Sequence, residues 1–259
     1  MALIEDYFQI RGWWYRGPKE SFCVLEKLQP KIFEYYERAL RPNASHEAIS
    51  NLVSEIDRDL TTILRSVVVE DYNPLWAKEF AELKAKIWPH VCDIAISIEH
   101  VGSTAVPGLA AKPIIDIDIV ISSNDTLCEI INRLQKLGYD HRGDMGVAGR
   151  EAFRHRDTYT SAVTTSAAVA PAHHLYVCLK DSLALKNHLI LRDYLLNNQL
   201  AREEYGELKR TLAKKFPTDI DHYVDGKSSF IISILQKHGL ELEQLQEIEK
   251  INTIPHKRE

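Results

Sequence analysis

His100-Val101-Gly102-Ser103-Thr104-Ala105-Val106-Pro107-Gly108-Leu109-Ala110-Ala111-Lys112-Pro113-Ile114-Ile115-Asp116-Ile117-Asp118-Ile119-Val120-Ile121 is the stretch whose reading decides the fold. It begins with a turn of small residues and ends in an apolar run interrupted by two acids. A β-strand turns successive side chains to opposite faces, so Asp116 and Asp118 share one face while Ile115, Ile117, Ile119 and Ile121 share the other. The isoleucines form a core-facing row. The carboxylates are left about 7 Å apart along the strand. Such a pair repels itself, and one member is pushed towards protonation unless a cation or a basic partner stands between them. A divalent metal removes that penalty, and Mg²⁺, or Mn²⁺ in its place, prefers carboxylate and phosphate oxygens. The Gly102-Ser103 turn suits the other half of the chemistry, because glycine lets backbone N–H groups approach a phosphate and the serine hydroxyl adds a donor. Together they read as a phosphate cradle beside a metal site held by Asp116 and Asp118.

The whole chain sets looser bounds. Its 259 residues suffice for one large domain or two small ones with a well-filled core. A formal net charge of −5 argues against a broad nucleic-acid binder. Cys23, Cys92, Cys128 and Cys178 are scattered without a Cys-x-x-Cys pair, so neither a disulfide framework nor a zinc knuckle is expected. No apolar run reaches membrane-spanning length, and Met1-Ala2-Leu3-Ile4-Glu5-Asp6 lacks a basic secretory start, so the expected location is the cytoplasm.

Working outward, residues 1–66 read as a helical unit separate from the rest. Leu25, Leu28, Ile32, Tyr35, Tyr36 and Leu40 recur at helical spacing, as do Ile49, Leu52, Val53, Ile56, Leu60 and Leu64. The unit carries no chemical motif, and its helices are candidates for binding a protein partner. Val67-Val68-Val69 is expected as a short strand opening the domain 67–240. Asn73 then caps a helix with Pro74 at its first position, Trp76, Phe80, Leu83 and Ile87 on one stripe, and an end near Pro89. Ile94 to His100 reads as a strand delivering the Gly-Ser turn. Beyond Ile121, Asn124 or Asp125 caps a helix through Leu137 that Gly138 stops. Gly143, Gly146 and Gly149 punctuate an ordinary connector, and residues 157–171 read as an exposed loop or a flap over a site. His173 to Leu179 is a strand with Leu175, Val177 and Leu179 facing the core and His174, Tyr176 and Cys178 facing the other way. From Ser182 the chain is helical through about His238, and residues 241–259 read as a charged tail.

The Gly-Ser turn, followed thirteen residues after Ser103 by Asp116-Ile117-Asp118-Ile119, resembles the signature of the DNA polymerase β-like nucleotidyltransferase superfamily. The longer run from Glu99 to Ile117 is similar to the hallmark of the GrpB family. The likeness continues in Tyr72-Asn73-Pro74-Leu75-Trp76, His173-His174-Leu175-Tyr176-Val177-Cys178, Leu191-Arg192-Asp193-Tyr194-Leu195, Tyr205-Gly206-Glu207-Leu208-Lys209 and Tyr223-Val224-Asp225-Gly226-Lys227-Ser228. It leaves residues 1–66 uncovered. The resemblance implies an α/β (α+β) fold with a nucleotidyltransferase-like mixed β-sheet and flanking helices. It also implies a Mg²⁺-dependent transfer of a nucleoside monophosphate from a nucleoside triphosphate to an unidentified acceptor.

Superfamily members usually add a third acid from a later strand, where this chain offers His174 and Tyr176. His174 is therefore the candidate base or ligand, and Glu151, Asp157 or Asp193 are candidates for a carboxylate supplied from elsewhere. Lys112 has two readings, a phosphate contact or a partner for one of the acids. Arg150, His188, Arg192 and Lys227 are further phosphate candidates, each weighed against an ordinary surface role. Gly226-Lys227-Ser228 imitates the end of a Walker A loop, but Asp221 replaces the required first glycine and no strand precedes it. The rival to the transferase is a degenerate nucleotide-binding sensor or scaffold, favoured by the missing third acid. Metal-assisted phosphoester hydrolysis uses similar groups.

Overall fold

The computed structural model describes residue 51 and residues 67–156 and 171–252. The expected helical unit over 1–66, the flap over 157–171 apart from its last residue, and the end of the tail lie outside the described residues.

Five strands form one mixed sheet in the order β1-β2-β5-β4-β3. These are β1 (Ser97–Val101), β2 (Ile115–Ile121), β3 (Tyr139–His141), β4 (Arg150–His155) and β5 (His173–Leu179). β2 lies between an antiparallel β1 and a parallel β5, and β4 and β3 continue antiparallel outward. The two-residue period expected for β2 holds. Ile115, Ile117, Ile119 and Ile121 are buried in one core with Leu175 and Val177 of β5 and Phe153 of β4. Two helices contribute to that core: α1 (Leu75–Val91), through Trp76, Leu83, Ile87 and Val91, and α2 (Leu127–Lys136), through Ile130 and Leu134.

Local chemistry shifts several expected boundaries. Asn73 does cap α1, its Oδ1 accepting from the Leu75 N–H at 3.0 Å. The helix does not end at Pro89 but carries it to Val91. The bond missing at Pro89 is tolerated because Ile87 and Val91 anchor the last turn in the core. The Ile94 and Ala95 N–H groups then bond back to Val91, which is why β1 starts later than the apolar run suggests. Val67-Val68-Val69 forms no strand. Val67 is drawn into a cluster with Leu212 and Tyr223, away from any sheet edge, and only Glu70 makes a bridge, with Ala111. Ser123, rather than Asn124 or Asp125, accepts the capping bond ahead of α2, from the Asp125 N–H at 3.0 Å. Gly138 ends that helix with a φ of 93°, as expected.

On the second face of the sheet α3 (Leu183–Asn197) packs against β1 and β5, and α4 (Gln199–Lys215) and α5 (Ile220–Lys237) pack on α3, on each other and on Val106 and Leu109 after the Gly-Ser turn. Ser182, Asn198 and Asp219 cap them in turn, each side-chain oxygen accepting a first-turn N–H. Residues 242–252 of the expected tail form α6 (Leu242–Asn252), whose Leu245 and Ile248 pack with Leu235 and Leu240. Among the described residues no helix is long and apolar enough to cross a membrane.

Candidate active site

The site is built on the face of β2 that the isoleucines leave free. Register sets its layout: Asp116 lies opposite Val101 and His174, and Asp118 lies between Glu99 and Tyr176. Both acids project towards the C-terminal helices. Asp118 is fully buried, and its Oδ2 accepts from His188 Nδ1 on α3 at 2.7 Å. Its Oδ1 is buried without a hydrogen-bond partner. The nearby Cys178 thiol is at best a weak donor, held protonated by its own burial and by the charge of Asp118. Burial pulls His188 down, but the charge and hydrogen bond of Asp118, with help from Asp116, outweigh it and hold the imidazole above its ordinary range.

Asp116 Oδ1 accepts from His174 Nδ1 at 2.9 Å. Burial pushes this carboxyl up. The hydrogen bond and charge of His174, with the charges of His188 and Lys227, overcome that push and hold it below the usual carboxylate range. The Gly102-Ser103 turn presses against its other edge. Gly102 has a φ of 69°, and a Cβ there would lie 2.2 Å from Asp116 Oδ2, so both backbone and contact exclude any other residue. The glycine that the motif reading assigned to phosphate approach is thus required first by the closeness of an acid.

Three lysines gather behind the turn. Lys209 of α4 is 2 % exposed and donates from Nζ to Ser103 Oγ at 2.8 Å, with its ammonium over the Tyr205 ring. Burial, and then the charges of Lys227 and Arg210, lower its pKa well below the ordinary lysine value despite the pull of Asp116. Lys227 of α5 lies over Tyr223, and burial together with Lys112 brings it down to about 8. Lys112 is itself lowered by burial and sustained by Asp116. Amines this well buried, with Lys227 and Lys112 each lowering a neighbour, favour an anion beside them.

The remaining candidates are dispersed. Arg150 of β4 stacks over the Tyr176 ring, 4.4 Å from its centroid. Arg192 is committed to Glu99 Oε2 at 3.0 Å, the His100 carbonyl at 3.1 Å and Asp193 at 2.8 Å, a brace between α3 and β1. Of the candidate third carboxylates, Glu151 points to the opposite face by strand parity and bonds His141 at 2.6 Å, and Asp193 is exposed beside Arg192. Asp157 lies outside the described residues. The sheet position next to Asp118 belongs to Tyr176. Among the described residues no group of three or more His, Cys, Asp or Glu side chains is arranged to hold a metal.

Sequence reading missed Lys209 as a site residue and did not foresee His188 as the partner of Asp118. The signal for Lys209 was present: it falls on the buried face of α4, between Tyr205 and Leu212 at helical spacing. A lysine on an apolar stripe is a position that packing alone does not explain. Nothing in the local sequence joins His188 to Asp118.

The arrangement defines a class: a mixed α/β protein in which an interior strand carries paired acids, fed by a Gly-Ser turn and closed by helices that bring lysines and a histidine to them. The chain belongs to the GrpB family, whose pattern, described as "GrpB protein", matches residues 66–237. Among its relatives, UPF0157 protein YqkA of Bacillus subtilis is 32% identical over 167 residues, covering 64% of this chain and 46% of that protein. The chain thus spans about half of that relative's length. The crystal structure of the conserved protein GrpB from Enterococcus faecalis superposes with a TM-score of 0.55 at 29% identity, covering 70% of this chain and 98% of that one. A more distant overlap is with the MgGTP-bound Cid1 poly(U) polymerase, at a TM-score of 0.39 and 15% identity over 66% of this chain and 49% of that one. An overlap that weak says nothing about activity.

Proposed function

We propose that the protein binds a nucleoside triphosphate with Mg²⁺ or Mn²⁺ and transfers the nucleoside monophosphate to the hydroxyl of an acceptor. The observation that carries this reading is the contact of the Gly102-Ser103 turn with Asp116 on the same strand face as Asp118, whose buried Oδ1 has no partner. A buried carboxylate oxygen without a donor is costly and fits a cation. Two carboxylates completed by phosphate oxygens are a usual donor set for Mg²⁺. Asp116 and Asp118 would hold the ion, which when bound neutralises charge developing on the phosphate oxygens.

The chain's own groups account for the other requirements. Ser103, Lys209, Lys227 and Lys112 receive the β- and γ-phosphates. His174 meets Asp116 through Nδ1, which leaves Nε2 at the exposed edge of the site, where the neutral form of the imidazole offers a lone pair. Nε2 accepts the acceptor's proton as its oxygen bonds to the α-phosphorus and the bond to pyrophosphate breaks. A cytoplasmic location accords with such a substrate. In calorimetry with ATP, GTP, CTP and UTP plus Mg²⁺, at least one nucleotide binds and Asp116→Asn weakens it. Absence of binding, or binding indifferent to Asp116, would falsify the reading.

A second reading is favoured by Tyr176 standing where a third acid is expected: the site binds nucleotide without transfer, and residues 1–66 recruit a protein partner. Incubation with α-labelled nucleotides and a cell extract separates the two. Label transfer lost in Asp118→Asn supports the transferase, and tight binding without transfer supports the sensor.

A further inference from the structure

The proposed chemistry divides the acid-bearing face in two. In-line displacement places the acceptor oxygen and the departing pyrophosphate on opposite sides of the α-phosphorus. The Gly-Ser turn and the lysines hold the pyrophosphate end beside β1, so the acceptor approaches across β5 and β4.

Three side chains define that approach: His174 and Tyr176 of β5, and Arg150 of β4. Arg150 pairs in register with Cys178 and so belongs to the same face as Asp118. Two strand spacings put it about 10 Å across the sheet from β2. Its guanidinium carbon lies over the Tyr176 ring, 4.4 Å from the centroid, and its charge reaches both Tyr176 and His188. Its Nε is buried with no hydrogen-bond partner, and among the described residues it makes no ion pair. The ring contact explains how the side chain is held but not why a charged donor is left buried and unpaired, which is costly. A guanidinium held over a ring, with a donor that the protein leaves unpartnered, has the chemistry for parallel bonds to an oxyanion.

We propose that Arg150, held on the face of Tyr176, binds an oxyanion of the acceptor, so that the acceptor is a small hydroxyl compound carrying a phosphate or a carboxylate. The inference rests on the transferase reading above. It favours a small molecule over a polynucleotide because the chain's net charge of −5 opposes a polyanion.

The test titrates the full chain, saturated with Mg²⁺ and a non-hydrolysable nucleoside triphosphate, with glycerol 3-phosphate, glycerate and glycerol. At least one of the two anions binds and glycerol does not, and which anion binds tells phosphate from carboxylate. Arg150→Gln weakens the anion at least tenfold, while Arg150→Lys, which keeps the charge and the fold but loses the fork, recovers part of it. Lys209→Met lowers nucleotide affinity and leaves the anion's affinity in place. Equal anion binding by wild type and Arg150→Gln overturns the proposal, as does displacement of the anion by nucleotide, which would assign Arg150 to the triphosphate. Nucleotide binding without anion binding sinks this inference alone. Failure of the nucleotide itself to bind sinks the transferase reading with it.

Discussion

Ile117 and Asp118 are neighbours on one strand, both fully buried, and they belong to different kinds of interior. On the Ile117 side the sheet meets α1 and α2 through a continuous apolar cluster, where dispersion and the removal of surface from water supply the stability. On the Asp118 side it meets the C-terminal helices through a small apolar cluster of Val120, Cys178 and Leu185 and, beside it, through histidines, lysines, an arginine and two acids that depend on one another for compensation. That interior is not finished, since Asp118 Oδ1 and Arg150 Nε are left without partners. One face is therefore built for packing, and the other keeps buried polar atoms without partners, which is what the proposed nucleotide site requires.

Four measurements test that contrast, from the largest expected effect to the smallest. Asp118→Asn keeps the side-chain shape and removes the charge. Transfer falls on the order of a thousandfold, the size of losing one electrostatic contact to the transition state. If instead it destabilises as much as a core truncation while nucleotide binding is unchanged, the acid is structural and the contrast fails. Ile117→Ala on the opposite face lowers unfolding free energy by about 3 kcal/mol in a denaturant melt, through lost transfer energy and a cavity. Nucleotide affinity of the folded protein stays as in wild type, and a loss there would mean that the faces are coupled.

Lys209→Met moves two quantities in opposite directions. Nucleotide affinity drops about tenfold, or roughly 1.4 kcal/mol. Thermal stability rises slightly, because a desolvated ammonium gives way to an apolar chain of similar length. A fall in stability would recast Lys209 as a structural anchor for Ser103. The smallest effect is on pH dependence. Lys227, brought down to about 8, carries its charge below that pH and loses it above. Nucleotide affinity measured from pH 7 to 9 therefore weakens a few-fold as pH rises, and the Lys227→Met variant shows a flatter profile.

Much of this architecture was legible along the chain because its signals are local. Alternation in 115–121 and 173–179 is a property of consecutive residues, and it sets Asp116 with Asp118, and His174 with Tyr176, opposite the core row of each strand; the parallel register then joins the two pairs on one face. The helices α2 to α5 are likewise expected where they stand, although the capping bond ahead of α2 comes from Ser123 and not from Asn124 or Asp125. Val67-Val68-Val69 misled because β-branched residues suit a strand only where an edge is available, and here the helices claim Val67. Pro89 misled because burial of its neighbours outweighs one lost bond.

The site was legible only in part, for a related reason. The sequence by itself determined the acids and the glycine turn, which lie within one continuous motif, and the family, which shows in several short motifs that keep their order along residues 66–237. Only the tertiary structure decided what those groups meet. Sequence separations of 106 residues between Lys209 and Ser103, and 70 between His188 and Asp118, place each partner on a helix whose approach depends on packing the whole domain. Strand parity turns Glu151 away, and register gives Tyr176 the place beside Asp118. Local periodicity dictates which face a side chain takes, but the charge that arrives across from it depends on how distant elements bury their apolar surfaces together.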